Sequence, residues 1–151
     1  MSNYEKKYFD LKKLENFAKE LCSKLKNGSI VCLKGELGSG KTTLARHLLS
    51  NLYKIKNLKP PNSIKSPSFP ILITYDLYDI EVYHYDLYRI KNTEELIELS
   101  IEENLKNSIT IVEWPELLIQ KIIHYKNYLI ELKILNENTR LIETNFKIIN
   151  D

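Results

Sequence analysis

Cysteine, glycine, arginine and long apolar runs are all scarce in this sequence of 151 residues. Two cysteines without a CxxC pair or a cysteine–histidine cluster exclude the usual zinc patterns, and their apolar surroundings predict reduced, buried thiols. No apolar run approaches the roughly 18 residues of a membrane span, and the N-terminus lacks the apolar core of a signal peptide. We therefore expect a cytoplasmic protein with no membrane partner.

The charge of the chain is nearly balanced. Lysine and arginine number 22 against 20 acidic residues, so the formal net charge is only +2. That excess is too small to indicate direct nucleic-acid binding by itself. The length is sufficient for one substantial core. We predict a single domain that spans residues 1–151.

Three of the 4 glycines lie in one short stretch, LKGELGSGKT, which runs from Leu33 to Thr42. Glycine lets a ligand approach the main chain closely. The stretch satisfies the phosphate-binding pattern G-x-x-x-x-G-K-[ST] in full. The apolar segment at 29–33 predicts a strand before it, and leucine periodicity at 41–53 predicts a helix after it. This order indicates a P-loop and, with it, a three-layer α/β P-loop NTPase fold with a mixed central sheet.

The residue types in this loop explain how it would bind phosphate. Backbone N–H groups at the glycines and the positive end of the following helix attract an anion. Lys41 can bridge the β- and γ-phosphates, and the Thr42 hydroxyl can ligate Mg²⁺. We therefore expect ATP and Mg²⁺ as cofactors.

Two acidic residues stand at the ends of predicted strands and are candidates to complete the metal shell. The apolar segment SITIVE ends in Glu113, and the alternating segment VYHYD ends in Asp86. Either acid could hold Mg²⁺, directly or through water, or orient the attacking water. His84 lies one strand period before Asp86 and can share its face, although a satisfied interior imidazole is the simpler interpretation.

Periodicity and turn residues predict the rest of the fold. The predicted elements are a helix that follows an Asp10 cap and ends at Asn27-Gly28, a proline-rich loop at 54–70, an antiparallel hairpin of 71–77 with 81–89, a helix at 92–105 opened by a Thr93 cap, and a closing hairpin of 127–135 with 140–149.

Four motifs, GELGSGKTT, KSPSF, VYHYDLYR and EWPE, closely resemble those of the bacterial TsaE (YjeE) family in their order and separations. The resemblance extends from about Ser29 to Glu116. That family consists of small P-loop ATPases that serve synthesis of threonylcarbamoyladenosine (t6A) in tRNA. The resemblance therefore implies a Mg²⁺-dependent ATPase, weak alone and stimulated by a partner, the TsaD–TsaB enzyme, with tRNA contacted only indirectly.

The resemblance also implies roles for individual positions. It assigns catalysis to Lys41, Asp86 and Glu113, and metal binding to Thr42, Asp86 and Glu113. Residues 66–69 match a mobile S-P-T-F loop that approaches the γ-phosphate, with Ser68 in place of threonine. The implied nucleotide-binding positions are Glu36, Leu37, Gly38, Ser39, Gly40, Lys41, Thr42, Thr43, Ser68 and Trp114. From the residues alone, Trp114 fits the mouth of the site and a half-buried core position equally well.

Three other functions fit a P-loop. A small-molecule kinase is the main alternative, but the chain has only three arginines with which to build a lid over the transferring phosphoryl group. A GTPase switch commonly carries an N-K-x-D motif, which this sequence lacks. A nucleotide-binding module without turnover is disfavoured because Lys41, Thr42 and both candidate acids are present.

Overall fold

The computed structural model describes residues 4–147. In that range the strands are β1 (Glu5–Phe9), β2 (Ile30–Lys34), β3 (Leu72–Asp76), β4 (Glu81–Asp86), β5 (Ser108–Glu113), β6 (Asn127–Ile134) and β7 (Arg140–Thr144). The α-helices are α1 (Leu11–Cys22), α2 (Lys41–Ile55) and α3 (Thr93–Glu98). Short 3-10 helices follow at Ile101–Glu103, Leu105–Asn107 and Ile119–Ile122.

The strands form one mixed sheet in the order β1-β7-β6-β2-β5-β4-β3. The four central strands β6, β2, β5 and β4 run parallel, whereas β3, β7 and β1 are antiparallel to their neighbours. Glu113 is level with Leu33 of β2 and with Asp86 of β4. The carboxyl ends of three parallel strands therefore meet at one edge of the sheet, where the P-loop begins.

Helical segments cover both faces of the sheet and produce three layers. Val31 and Leu33 of β2 belong to the core shared with α1 and α2. Ile30 and Cys32 point to the opposite face, where they pack with residues of α3 and the 3-10 helices. This alternation follows from the two-residue period of a strand. The predicted α/β three-layer architecture with a mixed sheet is confirmed.

Most of the predicted elements are present near their expected positions. Asp10 caps α1, since its Oδ1 accepts a hydrogen bond of 2.8 Å from the N–H of Lys13. The helix ends at Cys22, earlier than the predicted Asn27-Gly28. The β3–β4 and β6–β7 pairs are antiparallel hairpins, as predicted. The predicted end of the closing hairpin at 148–149 lies outside the described residues.

The predicted helix at 92–105 is wrong in its cap and in its length. Asn92, not Thr93, is the cap, because its Oδ1 accepts a 2.9 Å hydrogen bond from the N–H of Glu95. The α-helix ends at Glu98, and Ser100 adopts a left-handed conformation with φ of +53°. The chain then continues in 3-10 turns that bury Ile101 and Leu105 against the sheet. Packing against the sheet overrides the helical periodicity here.

Strand β1 was not predicted from the sequence. Its residues, EKKYF, are mostly polar, and Phe9 is the one that is buried. The strand pairs only with β7 at the edge of the sheet. Because this edge strand buries only Phe9, its sequence lacks the apolar alternation by which more buried strands are recognised.

The cysteine prediction is confirmed. Cys22 and Cys32 are free, buried thiols. The Sγ of Cys22 donates to the carbonyl of Leu48 over 3.2 Å, which fastens α1 to α2. Burial raises the pKa of both thiols to about 12. As to membrane insertion, none of the helices in residues 4–147 has the length and apolar character of a bilayer-crossing segment.

Candidate nucleotide site

The glycine-rich loop between β2 and α2 adopts backbone conformations that favour glycine. Gly35, Gly38 and Gly40 have φ values of +153°, +78° and +107°. Gly35 is also tightly packed, because a Cβ there would lie 2.5 Å from Ser39 Oγ and 2.6 Å from the carbonyl oxygen of Leu132 on β6. The loop therefore needs glycine at its first position for space as well as for conformation.

The Lys41 ammonium group is held inside the loop. Its Nζ donates to the carbonyls of Gly35 at 2.7 Å and Glu36 at 2.9 Å. It also lies 4.1 Å from the centroid of the Trp114 ring, which is cation–π distance. Burial lowers the pKa of Lys41, and the negative charges of Glu113 and Asp86 oppose that shift. Those two carboxylates support a charged lysine beside the loop.

The Glu113 carboxylate is fixed at both oxygens. Oε1 accepts a 2.7 Å hydrogen bond from the Thr42 hydroxyl, and Oε2 lies 2.7 Å from Nε2 of His84. Within the described residues, Nδ1 of His84 is buried and has no hydrogen-bond partner. A proton on Nε2, donated to Glu113, avoids leaving a buried N–H without an acceptor. Glu113 is thus joined to the first turn of α2 and to β4 at once.

Asp86 follows a different pattern. Its Oδ1 accepts a 3.0 Å hydrogen bond from the N–H of Tyr88, and its own N–H donates to the carbonyl of Ile71. Burial raises the pKa of Asp86, and the nearby charge of Glu113 acts in the same direction. The hydrogen bond from Tyr88 and the charge of Lys41 act in the opposite direction. The Asp86 carboxyl group is therefore held at one oxygen, whereas the neighbouring Glu113 carboxylate is held at both.

The loop and both acids line one open cavity of about 380 Å³. The lining residues are Leu37, Gly38, Gly40, Lys41, Thr42, Thr43, Ser66, Ser68, Asp86, Glu113 and Trp114. Of the twelve positions predicted from sequence, the side chains of Glu36 and Ser39 are not part of this lining. The backbone carbonyl of Glu36 accepts a hydrogen bond from Lys41, and the Ser39 side chain is fully buried.

Trp114 lies at the cavity and is half-buried, so it combines the two positions that the sequence left open. Its φ of +58° is rare for a residue with a side chain. The Tyr88 ring lies 4.8 Å from the Trp114 ring, centroid to centroid. Arg89, in contrast, is exposed and lies over the Phe69 ring at 5.4 Å.

The donor set of the cavity suits Mg²⁺. Thr42 offers a hydroxyl, and Asp86 and Glu113 offer carboxylate oxygens. Magnesium prefers oxygen ligands and is usually held by one or two carboxylates together with substrate phosphates and water. The described part of the chain contains no cluster of three or more histidine, cysteine, aspartate or glutamate side chains placed to hold a metal ion.

Two residues outside the twelve predicted positions contact groups of the site. For His84 the sequence allowed a position on the face of Asp86 and a satisfied interior position; the residue is buried, and its Nε2 contacts the Glu113 carboxylate. Its position two residues before Asp86 on β4 was the available signal. Arg140 donates to the loop carbonyls of Ser39 and Gly38 from a point about a hundred residues away, and nothing local in the sequence indicates this contact.

The mixed sheet, the loop between β2 and α2 and the acids at the neighbouring strand ends define an α/β protein with a P-loop NTPase fold. The crystal structure of YdiB from Bacillus subtilis has the same fold, with a TM-score of 0.65 and 21% identity over 95% of this chain and 86% of that one.

The chain belongs to the TsaE family. The family model described as threonylcarbamoyl adenosine biosynthesis protein TsaE matches residues 9–142. The tRNA threonylcarbamoyladenosine biosynthesis protein TsaE of Rickettsia typhi is 39% identical over 130 residues, which cover 86% of each chain. The protein of the same name from Aquifex aeolicus is 33% identical over 123 residues, 82% of this chain and 81% of its own.

Proposed function

We propose that this protein binds ATP with Mg²⁺ and hydrolyses it in the service of tRNA threonylcarbamoyladenosine synthesis. The contact that carries the proposal is the 2.7 Å hydrogen bond between Thr42 and Glu113. It joins the residue that ligates Mg²⁺ in P-loops to an acid from a separate strand. The family's role in t6A biosynthesis supplies the process.

Each group in the cavity has a task in this proposal. The loop N–H groups and Lys41 bind the phosphate oxygens, which is the ordinary use of a P-loop. Thr42, Asp86 and Glu113 would hold Mg²⁺, directly or through water, and the bound ion would neutralise charge on the phosphates. If one of the two acids holds the ion only through water, its carboxylate would be free to orient the attacking water. Ser68 lies on the cavity lining, where its hydroxyl can reach the nucleotide.

Hydrolysis by itself does not modify a tRNA, so the proposed ATPase acts on another component through a conformational change. We propose that this component is the TsaD–TsaB enzyme and that tRNA is met only through it. The protein would act in the cytoplasm as one P-loop ATPase domain, with a slow basal rate that the partner raises.

Calorimetric titration with ATP and Mg²⁺ tests the binding step. Lys41→Ala should raise the Kd for ATP by roughly tenfold or more, because a charge-assisted phosphate contact is lost. Lys54→Ala is the matched control, since Lys54 is an exposed lysine on the same helix. Equal affinities in the two variants would contradict the assigned role of Lys41.

Phosphate release with and without TsaD–TsaB tests the partner. We expect this protein to form a complex with TsaD–TsaB in the presence of ATP, and its ATPase rate to rise when TsaD–TsaB is added. Absence of both would overturn the TsaD–TsaB assignment. A phosphorylated small molecule among the products, detected by mass spectrometry, would instead favour the kinase alternative.

A further inference from the structure

Arg140, the first residue of β7, fastens the P-loop to the closing hairpin. Its Nε donates to the carbonyl of Ser39 at 2.9 Å, and its Nη2 donates to that of Gly38 at 3.3 Å. Its Nη1 donates to the carbonyls of Asn136 at 2.7 Å and Thr139 at 3.2 Å in the turn between β6 and β7. One guanidinium group therefore holds two adjacent loop carbonyls and the hairpin turn together.

These contacts fix the direction of the backbone N–H groups in the loop. A peptide unit is planar and trans, so the N–H of Gly40 points away from the carbonyl of Ser39 in the same unit. Gly40 lines the cavity, whereas Ser39 is fully buried behind it. By holding the Ser39 carbonyl, Arg140 restrains the orientation of the Gly40 N–H. The next unit back is restrained as well, because the N–H of Ser39 donates to the carbonyl of Glu36 at 3.1 Å.

The charge of Arg140 is also available to the site. Its hydrogen-bond acceptors are backbone carbonyls, and no acidic residue in the described range forms a salt bridge with it. The side chain is half-buried, where an unpaired positive charge is screened less than at an exposed position. The guanidinium group is held by backbone carbonyls and is not neutralised by a carboxylate. Its positive charge therefore favours an anion in the adjoining loop.

We propose that Arg140 is a positioning residue for phosphate binding, acting through the loop carbonyls of Gly38 and Ser39 without touching the nucleotide. The inference rests on the proposed nucleotide binding at the P-loop. An unrestrained loop would have to order its N–H groups when the ligand binds, and that ordering costs affinity. Arg140 reduces this cost because the peptide units are already oriented.

The experiment compares three variants with the wild-type chain. Arg140→Met removes the charge and every hydrogen-bond donor from a side chain of similar length. Arg140→Lys keeps the charge, but a lysine ammonium lacks the planar guanidinium that donates to the loop and to the hairpin turn at once. Lys133→Met is the matched control, because Lys133 lies on the same hairpin and pairs with Glu143 at 3.2 Å. Affinity for ATP with Mg²⁺, the KM and kcat of hydrolysis, and Tm are measured for each.

Arg140→Met should raise the Kd and the KM for ATP about tenfold, as expected for loss of charged hydrogen bonds, with kcat changed less than about twofold. Arg140→Lys should recover only part of this loss. Lys133→Met should leave both constants within about twofold of wild type, even if the two hairpin variants lose similar amounts of Tm. This difference between variants of similar stability separates positioning from a general structural role.

Wild-type binding together with unchanged affinity in Arg140→Met would overturn the inference and leave the proposed function intact. Failure of the wild-type chain to bind ATP would overturn both. If Arg140→Met does not fold, hydrogen exchange on the wild-type chain decides instead. ATP should slow amide exchange in the turn at 135–139, because Arg140 connects that turn to the loop. Unchanged exchange there would count against the proposal.

Discussion

His84 Nε2 lies 2.7 Å from Oε2 of Glu113, and both side chains are almost completely buried, with 0% and 2% exposed. Thr42 holds the other carboxylate oxygen at the same distance. A carboxylate bound at both oxygens cannot rotate freely, so its lone pairs keep one direction relative to α2. His84 therefore orients Glu113 without itself lining the cavity.

Replacing His84 should affect turnover more than nucleotide affinity. His84→Leu leaves one Glu113 oxygen buried without a donor, so we expect kcat to fall by about tenfold and Tm to decrease. His84→Gln can place an amide nitrogen near the position of Nε2 and should restore part of kcat. Steady-state kinetics of both variants test this. If His84→Leu and His84→Gln both fold and have the same kcat, His84 does not orient Glu113.

Glu113→Gln should retain ATP binding and lose turnover. The amide keeps the size of the side chain but removes the negative charge needed to act on water or metal. We expect the Kd for ATP to stay within about threefold and kcat to fall by about 100-fold. Glu94→Gln, on the exposed surface of α3, serves as the control. Normal phosphate release by Glu113→Gln in a single-turnover assay would remove Glu113 from catalysis.

Gly35→Ala should damage the loop more than Gly38→Ala does. A methyl group at position 35 meets Ser39 Oγ and the Leu132 carbonyl at 2.5 and 2.6 Å, whereas position 38 has open space within 4 Å. Both variants bear the strain of positive φ, and Gly35→Ala adds the steric clash to it. We expect Gly35→Ala to have the lower Tm by several degrees in calorimetric unfolding. A larger loss in Gly38→Ala would contradict this packing.

The fluorescence of Trp114 should report nucleotide binding. It is the only tryptophan in the chain, it lines the cavity, and the Lys41 ammonium lies 4.1 Å from its ring. Phosphate that draws Lys41 away changes the electrostatic surroundings of the indole. We expect a saturable change in emission on addition of ATP with Mg²⁺, lost in Trp114→Phe. Calorimetric binding with constant emission would show that the ring does not sense the ligand.

The buried thiols should make the protein less stable in alkaline solution. Burial raises the pKa of Cys22 and Cys32 from 9.0 to about 12, so the native state keeps protons that the unfolded chain releases. The stabilisation is complete below pH 9 and is lost as the pH rises towards 12. Urea unfolding at increasing pH should show this decline.

A double variant, Cys22→Ala with Cys32→Ala, controls for the tyrosines whose pKa burial also raises. Its free energy of unfolding should depend less steeply on pH than that of the wild type. A thiol reagent at pH 8 should label neither cysteine until the chain is unfolded, because the thiols are inaccessible and protonated. Rapid labelling of the native protein would refute this description.

The parts of the fold that local patterns encode were predictable. The P-loop is a contiguous motif, and its strand and helix have clear apolar periodicity. Asp86 and Glu113 could be placed together because the carboxyl ends of parallel strands share one edge of the sheet. Each of these inferences needs only short segments and the topology that a P-loop implies.

The features that sequence reasoning missed depend on distant partners. Strand β1 exists because the edge of β7 accepts it, and Arg140 reaches Ser39 across 101 positions of sequence. Ser100 interrupts a regular helical pattern because the following segment must bury its apolar side chains against the sheet. Tertiary packing decides all three, and no local pattern signals it.

Gly35 packs against the Leu132 carbonyl, and Arg140 donates a hydrogen bond to the Ser39 carbonyl. The conformation of this P-loop therefore depends on residues outside β2 and α2. Transplanting β2 and α2 alone into a foreign scaffold would leave behind the two supports that shape the turn. A chimera that keeps the shape of this loop has to carry the β6–β7 hairpin too, because Leu132 and Arg140 both belong to it.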